Sequence, residues 1–216
     1  MNILAFNGSP RKNWNTSILL NESLKGAASQ GADTELINLY DMNYKGCISC
    51  FACKTIGSKS YGKCPINDDL LAIFKKVEES DAIILGSPIY NGTASGEMHS
   101  FMERLLFQYS EYGKDSKSLY PKKIHTGFIY TMNATDEIVK TLGFDRSIDF
   151  NEFMLKRIFG YSETLLSFNT SQFNDYSKVV SSSVDLVKKA QTRKEQFPRD
   201  CKSAFEMGVR FATDRA

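Results

Sequence analysis

Short apolar runs alternate along the chain with longer segments in which apolar residues recur at helical spacing. The apolar runs predict five strands, at residues 3–7, 34–40, 82–88, 123–131 and 163–170. The run at 82–88 is apolar at nearly every position, which is typical of a central strand covered on both faces. Strands that alternate with helices predict an α/β fold with a parallel sheet and helices on both of its faces.

Helical spacing covers most of the chain between these strands. The predicted helices occupy residues 16–31, 68–80, 97–108, 134–160 and 176–196, and a last short helix follows Pro198. The basic residues Lys188, Lys189, Arg193 and Lys194 are expected to form a solvated helix face. Right-handed crossovers place every strand-to-helix loop at the carboxyl edge of the sheet, where ligands of open α/β sheets bind.

Composition narrows the class of protein. The chain has 216 residues, which we divide into a main domain at 1–197 and a C-terminal helical extension at 198–216. A net charge of +2 gives no reason to expect a nucleic-acid partner. The longest apolar run, residues 70–74, is far shorter than the ~18 residues that a membrane span needs. The first residues have strand character and no basic leader, so we expect a cytoplasmic protein.

The loop after the first strand, residues 7–17, has the composition of a phosphate-binding loop. It combines small hydroxyl residues, a cation and the start of a helix, whose backbone N–H groups attract anions. The Walker and dinucleotide glycine motifs are both missing, which favours a single terminal phosphate over a pyrophosphate. The alternative is an ordinary helix N-terminus capped by Thr16 or Ser17.

The loop after the third strand is a turn of proline, asparagine and glycine that contains Tyr90. An aromatic side chain and backbone N–H groups at this edge can hold a planar heterocycle. Turns of this composition are common, so the loop is informative only together with the first one.

The two loops together resemble the flavodoxin-like NAD(P)H-dependent FMN reductases, in particular their iron–sulfur flavoprotein branch. The matching stretches are GSPRKNWNTSILL, GCISCFACK with KCPINDD, and SDAIILGSPIYNGTASGEMHSFMERL, in the family's order over residues 1–107. The segment FNTSQFNDYSK also resembles the family's last core strand and its exit. The least similar regions are 134–160 and the C-terminal tail.

The resemblance implies a flavodoxin-like three-layer α/β/α sandwich with a five-stranded parallel sheet in the order 2-1-3-4-5. It implies noncovalent FMN, which three loops would hold. The phosphate loop would contribute Ser9, Arg11, Asn15, Thr16 and Ser17. The isoalloxazine loop would contribute Pro88, Ile89, Tyr90, Asn91 and Gly92. A third contact would come from Thr131 and Asn133, after the fourth strand.

The function implied by the resemblance is that of an oxidoreductase without a catalytic side chain. FMN would take electrons from NAD(P)H, the co-substrate, and pass them to a small acceptor such as a quinone, a nitro or azo compound, or free flavin. The resemblance also implies a homodimer or a homotetramer, since relatives of this kind are commonly dimers or tetramers. A response-regulator-like module on the same fold ranks last, because the first strand is followed by Asn7-Gly8-Ser9 instead of an acidic pair.

Four of the five cysteines lie within 18 residues of one another, in the loop after the second strand. The spacing Cys47-x2-Cys50-x2-Cys53 followed by Cys64-Pro65 is similar to the ferredoxin pattern for an iron–sulfur cluster, but the last gap is ten residues instead of three. An electron-transfer flavoprotein with a [4Fe–4S] cluster on these cysteines is therefore the alternative function. A zinc site, redox-active thiols and structural thiols also remain open. Cys201 is expected to pack between helices.

Overall fold

A computed structural model describes residues 1–114, 117–182 and 184–214. Its centre is a parallel sheet with the strand order β2-β1-β3-β4-β5, which confirms the predicted order. The strands are β1 (Asn2–Asn7), β2 (Asp33–Asn38), β3 (Ala82–Tyr90), β4 (Ile124–Thr131) and β5 (Gly160–Ser167). A two-residue strand, Thr93–Ala94, pairs antiparallel with the end of β3.

Helices cover both faces of the sheet. They are α1 (Asn15–Ala28), α2 (Asp69–Glu79), α3 (Gly96–Tyr109), α4 (Asp136–Leu142), α5 (Asp145–Phe159), α6 (Leu186–Gln191) and α7 (Phe197–Thr213). A π-helical turn, Thr192–Gln196, joins α6 to α7. Side-chain hydrogen bonds cap the N-termini of α2 and α3. The side chain of Asp68 accepts a hydrogen bond from the N–H of Leu70, and that of Ser95 accepts one from the N–H of Met98.

Successive residues of a strand point to opposite faces, and this divides the core into two layers. Ile3 and Ala5 of β1 pack in one core cluster together with apolar residues of α1 and α7. Leu4 and Phe6 pack in the other, with residues of α2, α3 and α5. The fold is thus the predicted three-layer α/β/α sandwich, and its carboxyl edge is left free for a site.

The first layer depends on a close approach of α1 and α7. A Cβ atom built on Gly208 would lie 1.8 Å from the carbonyl oxygen of Ser23, and one on Gly26 would lie 2.0 Å from that of Phe205. Real Cβ atoms do not come this close, so both positions require glycine. The C-terminal helix therefore packs directly on the first helix. The domain division at residue 197 stays a prediction.

Three predicted elements were wrong in their extent. The fifth strand begins three residues earlier than expected and ends at Ser167, because the edge strand is only half buried and its apolar signal is weak. The helix predicted at 134–160 is two helices, since Gly143 adopts a positive φ of 72° that ends α4. In the segment 176–196 the α-helix extends only from Leu186 to Gln191.

Within the residues that the structure describes, no helix is long and apolar enough to cross a membrane.

Candidate functional site

A pocket lies at the carboxyl edge of the sheet, where the loops after β1, β3, β4 and β5 meet. Its lining includes nine of the twelve residues predicted to bind the cofactor: Ser9, Arg11, Asn15, Thr16, Pro88, Ile89, Tyr90, Thr131 and Asn133. The structure thus brings together side chains that are up to 124 positions apart in the sequence. We call this pocket the candidate flavin site.

The loop after β1 is shaped by successive side-chain turns. The Oδ1 atom of Asn7 accepts a hydrogen bond from the backbone N–H of Ser9 at 3.0 Å, and the Oγ of Ser9 accepts one from Arg11 at 3.2 Å. The N–H of Gly8 donates to the carbonyl of Gly86 in β3 at 2.8 Å. The first loop is thereby fixed to the strand that leads into the second loop.

The N-terminus of α1 faces this pocket without a side-chain cap. The residue in the capping position is Trp14, which has no acceptor group, so no side chain at this position takes the first N–H groups of the helix. Thr16 and Ser17 lie inside the helix, so the capping alternative for them was wrong. Thr16 shares a hydrogen bond of 2.7 Å with Thr131 across the sheet edge. The helix start is available to an anion.

The loop after β3 is a two-residue hairpin. Asn91 and Gly92 have positive φ angles of 50° and 83°, as a type I′ turn requires. Tyr90, which is 45% exposed, lines the candidate flavin site. Asn91, Gly92 and the buried Ser17 lie outside its lining. Their predicted contacts with a flavin stay predictions.

Sequence reasoning missed the fourth wall of the site, formed by residues 170–173. The carbonyl of Ser171 accepts hydrogen bonds from the indole N–H of Trp14 at 3.0 Å and from the side-chain amide of Asn15 at 2.8 Å. The carbonyl of Gln172 accepts one from Arg11 at 2.5 Å. The predicted fifth strand ended at Thr170, and no local motif in the residues after it indicates that they would contact the first loop.

Lys189 also departs from the prediction, since it is not part of a solvated face. Its side chain is only 4% exposed, and its ammonium donates to the Oδ1 of Asn169 at 2.9 Å and to the carbonyl of Thr170 at 3.0 Å. Both acceptors are neutral. Burial of the charge lowers the pKa of Lys189 from its ordinary 10.5 to about 8. Lys189 therefore holds the start of the fourth wall.

This lowered pKa predicts a pH dependence of stability. Between pH 8 and 10.5 the unfolded chain binds more protons at Lys189 than the folded chain, so the lysine's contribution to the free energy of unfolding rises with pH. We expect the free energy of unfolding of wild type, measured in urea at pH 7 to 10, to rise relative to that of Lys189→Met as the pH rises. The slope of this difference should be at most about 1.4 kcal/mol per pH unit. Tyr176, Arg193 and Lys194 line a pocket together with Lys189, and all three are present in both proteins. A difference that is constant with pH would contradict the prediction.

The cysteine loop curls back on itself next to α3. Ser49 and Phe51, which alternate with the first cysteines, both have positive φ angles, of 54° and 55°. The ten-residue gap folds back near its end, where the N–H of Gly62 donates to the carbonyl of Cys53 at 2.9 Å. As a result Cys47, Cys50, Cys53 and Cys64 all line one small pocket beside Arg104 and Gln108.

The donor set of this pocket suits an iron–sulfur cluster, but its volume does not. Four thiols share one cavity, the N–H of Ser49 donates to the sulfur of Cys47 at 3.4 Å, and the buried side-chain nitrogen of Gln108 has no hydrogen-bond partner in the described part of the chain. The enclosed space is only about 10 Å³, the size of one water molecule. Among the described residues, no three Cys, His, Asp or Glu side chains are grouped as metal ligands. A cluster would need this loop to open.

Fold and site together define a flavodoxin-like α/β protein with a pocket at the carboxyl edge of its sheet, where the loop after β1 leads into the N-terminus of α1. The model of the family "NADPH-dependent FMN reductase" matches residues 1–132, and the chain belongs to this family. The match confirms the resemblance noted from the sequence. Family membership makes the chain a flavoprotein with FMN as its cofactor.

Curated relatives place the chain near the iron–sulfur flavoproteins. It is 43% identical to one from Methanocaldococcus jannaschii over 104 residues, which are 48% of this chain and 51% of that protein. It is 36% identical to one from Archaeoglobus fulgidus over 104 residues, 48% of each chain. The chain spans about half the length of the curated relatives it matches.

Solved structures agree on the fold over the whole chain. An NAD(P)H:quinone oxidoreductase from Methanothermobacter marburgensis superposes with a TM-score of 0.70 at 13% identity, covering 100% of this chain and 99% of its own. An FMN-dependent NADH-azoreductase from Bacillus anthracis, in complex with FMN, gives a TM-score of 0.66 at 12% identity, covering 99% and 100%. At such identities the similarity is one of fold.

Proposed function

We propose that the protein is an oxidoreductase that carries electrons through FMN from a reduced nicotinamide nucleotide to a small acceptor. The observation that carries this proposal is the uncapped N-terminus of α1 beside Arg11, in the same pocket as Tyr90 and the end of β4. A phosphate suits the first part of this pocket, and a flat ring suits the second. Quinones, nitro or azo compounds and free flavin are the acceptors that we would assay.

The residues of the chain bind and orient in this proposal. Arg11 and the N–H groups at the start of α1 hold the flavin phosphate, while Pro88, Ile89 and Tyr90 flank the ring. The hydrogen bond between Thr16 and Thr131 keeps the phosphate loop and the fourth strand at a fixed distance. Bound FMN supplies the hydride and electron chemistry. No side-chain acid or base is required, and the proposal assigns none.

The phosphate contact gives a direct test through the affinity for FMN. Replacement of Arg11 by methionine removes one charge-assisted hydrogen bond to the phosphate, so we expect the Kd for FMN to rise roughly tenfold to a hundredfold. Quenching of flavin fluorescence during titration of the apoprotein measures this Kd.

The matched control is Lys12→Met. Lys12 is the next residue and also a cation, but it pairs with Asp41 at 2.7 Å and does not line the pocket. We expect the Kd of Lys12→Met for FMN to stay within a factor of about three of the wild-type value, since an exposed surface charge contributes little. An equal loss of affinity for FMN in both variants would show that the net charge of the protein, and not the position of Arg11, determines binding. A wild type that does not bind FMN would refute the proposed function.

The second candidate function is electron transfer between FMN and a [4Fe–4S] cluster on Cys47, Cys50, Cys53 and Cys64. The observation in its favour is that the ten-residue gap folds back, so that all four thiols line one pocket, which would have to open to take up the cluster. Anaerobically purified protein with about four iron and four acid-labile sulfide atoms per chain would support it. Fast oxidation of NAD(P)H by iron-free protein would favour the first function instead.

We also propose that the protein is a homodimer or homotetramer. Phe150 and Phe153 on α5 are 61% and 57% exposed, and exposed apolar surface of this kind is typical of interfaces between chains. The mass in solution, measured by light scattering during gel filtration, tests this. A monomeric wild type, or an assembly that persists in Phe150→Ser/Phe153→Ser, would rule out this surface.

A further inference from the structure

A second pocket lies beside the candidate flavin site, between the segment after β5 and the turn that joins α6 to α7. Its volume is about 420 Å³. It shares Ser171 and Phe173 with the candidate flavin site, so the two are adjacent. We call it the basic pocket; its remaining lining residues are Asn174, Tyr176, Leu186, Lys189, Ala190, Arg193 and Lys194.

The charge of the basic pocket has one sign. Among the described residues, its lining contains Lys189, Arg193 and Lys194 and no carboxylate. The ammonium of Lys189 is buried, and the two acceptors that it contacts, on Asn169 and Thr170, are uncharged. A buried cation that has only neutral partners has lost hydration without gaining a counter-charge. An anion in this pocket would supply that counter-charge.

The basic pocket also presents aromatic and apolar surface. The rings of Phe173 and Tyr176 meet edge to face, with centroids 5.3 Å apart. Phe173 is 38% exposed and Leu186 is 47% exposed. Aromatic and apolar surface beside cations suits a ligand that combines a heterocycle with phosphates.

The position of the basic pocket decides between two phosphorylated ligands. The flavin phosphate already has the start of α1 and Arg11, in the neighbouring site. The other phosphorylated heterocycle in the proposed reaction is the adenosine end of the nicotinamide nucleotide. Since that molecule must also reach the flavin ring, its far end needs a pocket that adjoins the flavin site.

We propose that the basic pocket binds the phosphorylated adenosine end of the nicotinamide co-substrate, an inference that rests on the proposed function. Lys189 supplies a fixed buried charge, because it is held by the Asn169 side chain and the Thr170 carbonyl. Lys194, which is exposed at the rim, supplies a second charge for the phosphates. Arg193 is shared, since its guanidinium donates to Asn15 of the first loop at 3.2 Å.

The test uses FMN-loaded protein and adenosine 2′,5′-bisphosphate, which has the phosphates and the adenine but no nicotinamide. Isothermal titration calorimetry should show one site per chain. In Lys194→Gln and in Lys189→Met we expect the Kd for this probe to rise about tenfold, the effect of one lost charged hydrogen bond. Lys75→Gln, an exposed lysine on α2, is the matched control and should leave it unchanged.

Steady-state kinetics supply a second readout. In Lys194→Gln the KM for NAD(P)H should rise about tenfold with kcat retained, because the charge lies far from the reacting ring. Since Lys194 is exposed, this variant should fold even if Lys189→Met does not. A probe that fails to bind the FMN-loaded protein, or that binds all variants equally, overturns the inference.

Two further outcomes separate the modes of failure. Release of free fluorescent FMN when the probe is added would mean that the basic pocket holds the flavin phosphate, which also overturns the inference. Failure of the wild type to bind FMN at all would instead refute the proposed function, and it would be seen before any probe is added.

Discussion

Replacement of Gly208 by alanine is expected to lower the free energy of unfolding by about 3 kcal/mol or more. The added methyl group would lie 1.8 Å from the carbonyl oxygen of Ser23, and a backbone carbonyl cannot move aside without shifting α1 against α7. Overpacking typically costs about 1 to 3 kcal/mol and occasionally more, and we place this clash with backbone above that range, at about 4 kcal/mol. Alanine regains ~1 kcal/mol over glycine in a helix, which leaves the net loss of about 3 kcal/mol. For a chain of this size Tm should fall by roughly 10 °C.

Gly96→Ala is the matched control. Gly96 is the first residue of α3, and no described atom lies within 4 Å of a Cβ built there. The same change should be neutral or slightly stabilising at this position, as measured by urea unfolding. Equal effects at Gly96 and Gly208 would show that helix propensity matters and that the crossing of α1 and α7 does not.

The architecture could be predicted because a parallel sheet has a strong sequence signal. Central strands such as β3 are apolar at almost every position, and their order follows from the topology of the family. The first loop could be predicted for a similar reason: Ser9 and Arg11 are polar residues between a buried strand and a helix. The sequence is informative where burial is complete and the neighbouring loop is polar.

The parts that could not be predicted depend on contacts between residues that are distant in sequence. The edge strand β5 is half exposed, so its bounds were predicted three residues too late, and nothing local shows that the Ser171 carbonyl would contact Trp14 and Asn15. Lys189 looked like its solvated neighbour Lys188, since nothing local shows that Asn169 and Thr170 would enclose it. Both errors fall on one side of the sheet edge, where the candidate flavin site and the basic pocket meet.

Replacement of Arg104 by methionine is expected to cost about 3 to 5 kcal/mol, as for a buried ion pair that loses one partner. Arg104 is 1% exposed and forms two parallel hydrogen bonds with Asp68, at 2.5 and 3.0 Å. Its Nη1 also donates to the carbonyl of Lys45 at 3.2 Å, at the start of the cysteine loop. The variant should therefore unfold at lower urea concentration, and its thiols should react faster with a disulfide reagent in the folded state.

Two further variants make this prediction specific. Arg210→Met removes an exposed pair with Glu163 and should cost less than about 1 kcal/mol. In the double variant Arg104→Met/Asp68→Asn, the amide can still cap α2 and leaves no buried charge unpaired, so the loss should be smaller than in Arg104→Met alone. If the double variant were less stable than Arg104→Met, the unpaired carboxylate of Asp68 would not be the cause of the instability of Arg104→Met. The loss in Arg104→Met would then come from contacts that both variants lack, such as the hydrogen bond to the Lys45 carbonyl.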